Sequence, residues 1–204
     1  PITIEEVMAS KMLSTPLRAK QSNMLFDGGG AFVVTSAERA RDLTDRPAYV
    51  LGDGGAVTHF AYSQEPDLTR FGWARAARQA FEEAGVGPAD IDVAEIYDSY
   101  PIYQLIAFEE TGLCARGEAG GLFLRGETWP GGRIPTTTDG GMLSKGHIGA
   151  GGSVSLLIEA LARRYSARLG RPVGPGQILC LPGTQTALFA VLMAMAGPGD
   201  EVIA

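Results

Sequence analysis

Apolar and polar positions along this chain alternate between helical and extended spacing. Thr3 followed by Glu6 is a capping-box pair, which predicts a helix from about Ile4 to Leu13, stopped by Pro16. After the turn Asp27-Gly28-Gly29-Gly30, the run Ala31-Phe32-Val33-Val34-Thr35 reads as a short buried strand. Ser36 then caps a short helix through Leu43. Ala48-Tyr49-Val50-Leu51 reads as a second strand, ended by Gly52-Asp53-Gly54-Gly55. From Asp67 to Ala84, Leu68, Phe71, Ala74, Ala77 and Phe81 recur at helical spacing, and Gly85 closes the helix. Ile91, Val93, Ala94 and Ile96 suit a buried strand, and Pro101 opens a helix to Glu110. Residues 115–146 are rich in Gly, Thr and Pro and predict a long functional loop. A helix over Ser153–Leu169 and a strand over Gln177–Leu181 follow. The order predicts an α/β layered fold. Strands near 31–35, 48–51, 91–97 and 177–181 are expected in one sheet, covered by helices near 70–84 and 153–169.

Composition changes this picture little. The chain has 204 residues, 45% hydrophobic and 20% charged, which is globular rather than disordered. Gly and Pro fill 28 and 12 positions, an excess that predicts many tight turns and backbone-lined surfaces. The net charge is −6, and no Lys/Arg-rich run stands out, so no nucleic-acid partner is expected. Two cysteines, Cys114 and Cys180, are too few for a disulfide framework, and with two histidines they show no metal-ligand spacing. With no apolar run long enough for a membrane span and no signal peptide, the expected location is cytoplasmic. The chain opens on Pro1 and closes at Ala204 within an apolar run, so both ends are expected to be cuts through a longer protein.

The segment richest in chemistry is Thr137 to Gly152, where His147 sits among Gly146, Gly149, Gly151 and Gly152, just before Ser153 and its predicted helix. Glycines let the backbone approach a ligand closely, and a helix start offers N–H groups to an anion. Such a place suits a developing oxyanion, with the imidazole as donor or base. A Gly-rich turn with an incidental histidine fits the same residues, and both readings stay open at this point. His59 follows Gly-rich turn residues and is a further candidate for the same cleft; a solvated loop histidine is its alternative.

Four segments in order resemble the thiolase superfamily, specifically its sterol-carrier and lipid-transfer branch, over about Ile2 to Glu159. Asp27-Gly28-Gly29-Gly30-Ala31 and the strand after it are similar to the last strand of the N-terminal thiolase domain. Asp90 through Tyr100 resembles the strand that carries a catalytic turn. Glu109–Glu118, with Thr111-Gly112-Leu113-Cys114 inside it, resembles the segment after that turn, and Gly146-His147 resembles the thiolase histidine loop. The resemblance implies a thiolase-like layered fold: residues 1–43 end an N-terminal domain and 44–204 form a C-terminal domain. It implies an acyl-CoA thioester as substrate, with no covalently bound cofactor. The histidine would activate a cysteine nucleophile or hold the thioester oxygen. His147, Tyr97 and Asp98 are then the catalytic candidates, and Gly146, Gly149, Gly151, Gly152, Ser153 and His59 the substrate-binding ones. Implied partners are a thiolase-like N-terminal half or a second copy, and an OB-fold/zinc-ribbon chain as in the lipid-transfer branch.

The chain departs from that pattern. The domain carrying the nucleophile is not in it, and Cys114 is expected to be a packing residue. Tyr97 stands where the branch usually has His, and tyrosine is a poor base at neutral pH. Thr137 stands where Asn is usual before the Gly-Gly pair. From about Ala162 the tail resembles a PLP-dependent aminotransferase instead. Leu181-Pro182-Gly183-Thr184-Gln185-Thr186-Ala187 is similar to that family's phosphate-receiving loop, and Gly197–Ile203 to its next turn and strand. No Schiff-base lysine follows; Lys11, Lys20 and Lys145 all lie upstream. The expected function is an acyl-CoA-handling module for carbon–carbon bond formation or cleavage, inactive alone. The alternatives are a non-catalytic binding or assembly module and a fragment of a PLP enzyme.

Overall fold

The computed structural model describes residues 2–28, 33–43, 48–138 and 140–149. By contact the chain divides into two compact units, Pro1–Val34 with Thr138–Ala204, and Thr35–Thr137.

In the first unit, helix α1 spans Ile4–Ala9. The capping box forms as expected: Thr3 Oγ1 accepts from the Glu6 N–H at 3.2 Å, and Glu6 Oε2 accepts from the Thr3 N–H at 2.9 Å. The helix stops short of Leu13, however. Ser10 donates both its N–H (3.1 Å) and its hydroxyl (2.7 Å) to the Val7 carbonyl, the backbone competition typical of serine. Met12–Ser14 (β1) then pairs antiparallel with Leu17–Arg18 (β2), the one ladder among the described residues. Further on, Leu25 bridges His147 in parallel, with Phe26 N–H donating to the His147 carbonyl at 3.0 Å and His147 N–H to the Met24 carbonyl at 2.6 Å.

Among the described residues the second unit carries four α-helices: α2 (Ala37–Leu43), α3 (Trp73–Ala84), α4 (Pro101–Glu110) and α5 (Ala119–Leu124). Ser36 Oγ accepts from the Arg39 N–H at 3.3 Å, the cap read from sequence. Helix α3 starts six residues later than Asp67. There Asp67 Oδ1 accepts from the Thr69 N–H (3.0 Å) and hydroxyl (2.5 Å), which closes a local turn in place of a first helical turn. These bonds, with Arg116 nearby, hold the Asp67 carboxyl below its ordinary pKa. Helix α4 begins at Pro101 as expected. The long loop over 115–146 proves to contain α5 and, in the first unit, α6 (Gly141–Lys145). Helix α5 reads Ala-Gly-Gly-Leu-Phe-Leu and has poor intrinsic propensity. Packing sustains it: Ala119 and Leu122 are buried, and Phe123 meets Phe108 edge-on at 5.4 Å.

The core of this unit lies where α4 and α5 meet the 91–96 segment: Ala94, Phe108, Leu113, Ala119, Leu122 and Ile134, with Ile91, Ile96, Leu105 and Cys114 packed against them. Phe108 is wholly buried, and its truncation to Ala would cost about 3–5 kcal/mol.

The expected four-stranded sheet is corrected among the described residues. Residues 33–35 and 48–51 form no strand, and Val33, Val34, Val50 and Leu51 are exposed. At 48–51 the reason is the pair of glycines downstream, which presses the chain onto a helix and not beside another strand. A Cβ on Gly54 would lie 1.9 Å from the Ala76 carbonyl oxygen, and one on Gly52 would lie 2.3 Å from that of Ala80. In 91–97 only Ala94 bridges, in parallel, to Thr136. Residues 31–32, the 153–169 helix and the 177–181 strand lie outside the described residues.

Candidate functional site

In the second unit, Tyr97-Asp98-Ser99-Tyr100 forms the turn between the 91–96 segment and α4. Pro101 at the first helical position fixes where the turn must end. Asp98 and Ser99 are buried, at 3% and 5% exposure, in a chain where most acidic side chains face solvent. Ser99 Oγ–H donates to the Tyr97 hydroxyl at 2.5 Å, so the phenol oxygen accepts within the turn. Tyr100 packs edge-on against Tyr103 (5.8 Å), which meets Trp73 (6.4 Å), Phe71 (5.9 Å from Trp73) and then His59 (5.8 Å from Phe71).

Facing the start of that turn is the segment 134–137. Ala94 N–H donates to the Pro135 carbonyl at 3.0 Å, and Thr136 Oγ1–H returns a bond to the Ala94 carbonyl at 2.5 Å. Gln104, buried in α4, donates through Nε2 to Thr137 Oγ1 (3.2 Å) and to the Ile96 carbonyl (3.5 Å). Thr137 has φ 41°, the one non-glycine residue with a positive φ among the described residues.

In the first unit, Gly146, His147 and Gly149 lie together. Gly146 is held at φ 90°, and a Cβ there would be 2.7 Å from Phe26 Cβ, so only glycine fits. The backbone of His147 is fixed by its two bonds to Met24 and Phe26. Its ring is oriented by Gly149, whose N–H donates to Nδ1 at 3.0 Å. An accepting Nδ1 carries no proton, so the neutral ring bears its proton on Nε2, which is a donor.

His59 has the opposite arrangement. Its Nδ1 lies 2.9 Å from Thr58 Oγ1 and 3.3 Å from Glu65 Oε2. A carboxylate can only accept, so the neutral ring is protonated at Nδ1. With 12% of its side chain exposed, His59 is not a solvated loop residue. It lines an open pocket of about 370 Å³ with Val57, Phe60, Phe71 and Trp73.

Tyr97, Asp98 and His59 thus fall in the second unit, and Gly146, His147 and Gly149 in the first. Gly151, Gly152 and Ser153 lie outside the described residues. Cys114 packs against the core. Burial first, then Glu109 and Glu118, raises its thiol pKa, with Arg133 opposing. Among the described residues no group of His, Cys, Asp and Glu could hold a metal ion, and no helix is long and apolar enough to cross a membrane. Sequence reading missed Ser99, Gln104 and Thr136. Gln104 did leave a signal: it stands four residues before Phe108, and so on the buried stripe of α4.

Comparison with known proteins adds the following. The family model described as "Thiolase C-terminal domain-like" matches residues 54–172. The acetyl-CoA acetyltransferase of Methanothermobacter thermautotrophicus is 37% identical over 153 residues, 74% of this chain and 40% of that protein. The 17-hydroxy-3-oxo-4-pregnene-20-carboxyl-CoA lyase of Mycobacterium tuberculosis is 36% identical over 153 residues, 72% of this chain and 40% of that one. The steroid side-chain-cleaving aldolase of Thermomonospora curvata is 32% identical over 191 residues, 90% and 48% of the two chains. A solved Ltp2-ChsH2(DUF35) aldolase superposes with a TM-score of 0.68 at 29% identity, covering 81% of this chain and 44% of that one. This chain spans less than half the length of each of these relatives. The aminotransferase resemblance from Ala162 onward gains no support. The family match runs to residue 172, and the aldolase alignment takes in more of the chain than residues 1–161 alone provide.

Proposed function

This chain belongs to the thiolase C-terminal domain-like family, and from that premise we propose that it is the acyl-CoA-handling half of an enzyme that makes or breaks a carbon–carbon bond next to a thioester. In this reading residues 1–43 end an N-terminal thiolase-like domain and 44–204 form the C-terminal one. The substrate is a coenzyme A thioester, and the location is cytoplasmic. The relatives' printed names, an acetyltransferase, a CoA lyase and an aldolase, support this class of chemistry.

The ring of His147 supports it most. Its proton sits on Nε2 because Nδ1 accepts from Gly149. It is a donor in a loop lined by glycine, suited to the negative charge that grows on a thioester oxygen. Tyr97 favours cleavage of the aldol kind. A base takes the proton of a β-hydroxyl group, the Cα–Cβ bond breaks to leave a carbonyl compound, and the electron pair moves into the thioester as an enolate. His147 Nε2–H holds the enolate oxygen, and a proton returned to Cα releases acyl-CoA. We assign the hydroxyl of Tyr97, with Tyr100 beside it, to the proton transfers, and Asp98 to holding the turn. Gly146, Gly149, Gly151, Gly152 and Ser153 would lie along the thioester, and His59 would touch the acyl portion. A thiolase-like N-terminal half or a second copy would complete the site. The Ltp2-ChsH2(DUF35) pairing favours an additional OB-fold/zinc-ribbon partner.

The experiment is to incubate the complete protein with β-hydroxyacyl-CoA and β-ketoacyl-CoA thioesters and follow cleavage products by mass spectrometry. Cleavage of the first is expected. Tight binding without turnover of either would leave a binding or assembly module in its place.

A further inference from the structure

The buried side chain of Gln104 has no place in the chemistry above, yet it joins the entry of the Tyr97 turn to the 134–137 segment. Its Nε2 reaches the Ile96 carbonyl, immediately before Tyr97, and Thr137 Oγ1, at the end of the 134–137 segment. Thr137 is β-branched and held at φ 41°. A branched Cβ crowds the backbone in the left-handed region, so such a conformation persists only where surrounding contacts impose it. The contacts here are the Gln104 bond to its hydroxyl and the neighbouring bonds of Ala94 with Pro135 and Thr136. A glutamine amide is a good tie between two acceptors because its two N–H groups diverge from one nitrogen. Its burial in α4 removes water as a competing donor.

We propose that Gln104 is a positioning residue. By donating to Thr137 Oγ1 and the Ile96 carbonyl, it holds Thr137 in its left-handed conformation and sets the entry of the Tyr97 turn from the same side chain. Its role in catalysis rests on the function proposed above; the brace itself does not. Gln104 touches no substrate in this account. It acts by fixing where the Tyr97 hydroxyl stands and the backbone conformation of Thr137.

The test uses the complete protein and five variants. Gln104→Met keeps the length and loses the donors. Thr137→Val keeps the shape and loses the acceptor. Each is expected to lower kcat about 10- to 100-fold with KM nearly unchanged, the size of loss that follows from a misplaced catalytic group. The double variant should be no worse than Gln104→Met alone, which already removes the bond to Thr137. Thr137→Ser, which keeps the hydroxyl, should restore kcat to within about threefold. Thr137→Asn puts in a residue that tolerates positive φ and still offers an acceptor, and should raise Tm by about 2–4 °C. Full kcat in Gln104→Met, or losses that multiply in the double variant, would overturn the proposal. If the complete protein cleaves no thioester, the function fails but the brace is still read from Tm: the two single losses should not add, and additive losses would sink it.

Discussion

The two histidines sit in contrasting loops, and the contrast separates a ring oriented by backbone from a ring held by side chains. His147 is framed by backbone: Gly149 N–H fixes its ring, while Met24 and Phe26 fix its main chain. His59 is framed by side chains: Thr58, Glu65 and the tilted ring of Phe71. In the neutral form, these partners favour the proton on Nε2 in the first ring and on Nδ1 in the second. A carboxylate and an aromatic ring hold His59 in place at the edge of its pocket.

The largest effect expected from this contrast is on rate. In the complete protein, His147→Ala should lose about 10²–10³ in kcat, the usual size for one oxyanion donor, with Tm nearly unchanged. Kinetics and thermal melting of the same preparation check this. A fall in Tm that explains the lost rate would move His147 into the packing class. Next, Tyr97→Phe should lose about 10² in kcat at unchanged fold, measured on a β-hydroxyacyl-CoA substrate. A variant as fast as the parent would remove the phenol from the chemistry and return Tyr97 to a packed aromatic.

His59→Ala should behave in the other way. A drop in Tm of about 2–4 °C is expected from the loss of the Glu65 and Phe71 contacts, with KM raised at most about tenfold and kcat kept. A loss in kcat as large as that of His147→Ala would break the comparison. The smallest effect concerns Cys114. Its raised thiol pKa means alkylation by iodoacetamide at pH 8 should be roughly several-fold slower than for an unfolded control. The sign for stability follows. The contribution is present below the ordinary thiol pKa and is lost as pH rises through the raised folded value. Rapid labelling of the folded chain would show an exposed, reactive thiol.

Much of this was legible in the residues. Thr3 with Glu6 gave the α1 cap, Ser36 that of α2, Gly85 the end of α3 and Pro101 the start of α4, because caps depend on neighbours within one turn. The four motifs from Asp27 to His147 placed the chain in its family. What was not legible depended on partners far along the chain. The run Ala48–Leu51 has strand composition, but Gly52 and Gly54 lay the chain on α3, and nothing in the run itself announces that helix. Helix α5 exists because Ala119 and Leu122 fill a space beside Phe108. The tautomers of His59 and His147 hang on Glu65 and Gly149, partners whose geometry spacing alone does not specify. The aminotransferase likeness of the tail came from short Gly- and Thr-rich stretches, a composition that many phosphate-free turns share.

In the proposed chemistry, His147 presents an Nε2–H donor to a thioester oxygen. Long-range ¹H–¹⁵N correlation spectra of the ring in the complete protein test it most directly. In its neutral form the ring is expected to be protonated at Nε2, with the Nε2–H resonance shifting when a non-cleavable acyl-CoA analogue is added and no shift of the His59 ring of comparable size. A ring protonated at Nδ1, or an Nε2–H signal indifferent to saturating analogue, would contradict it.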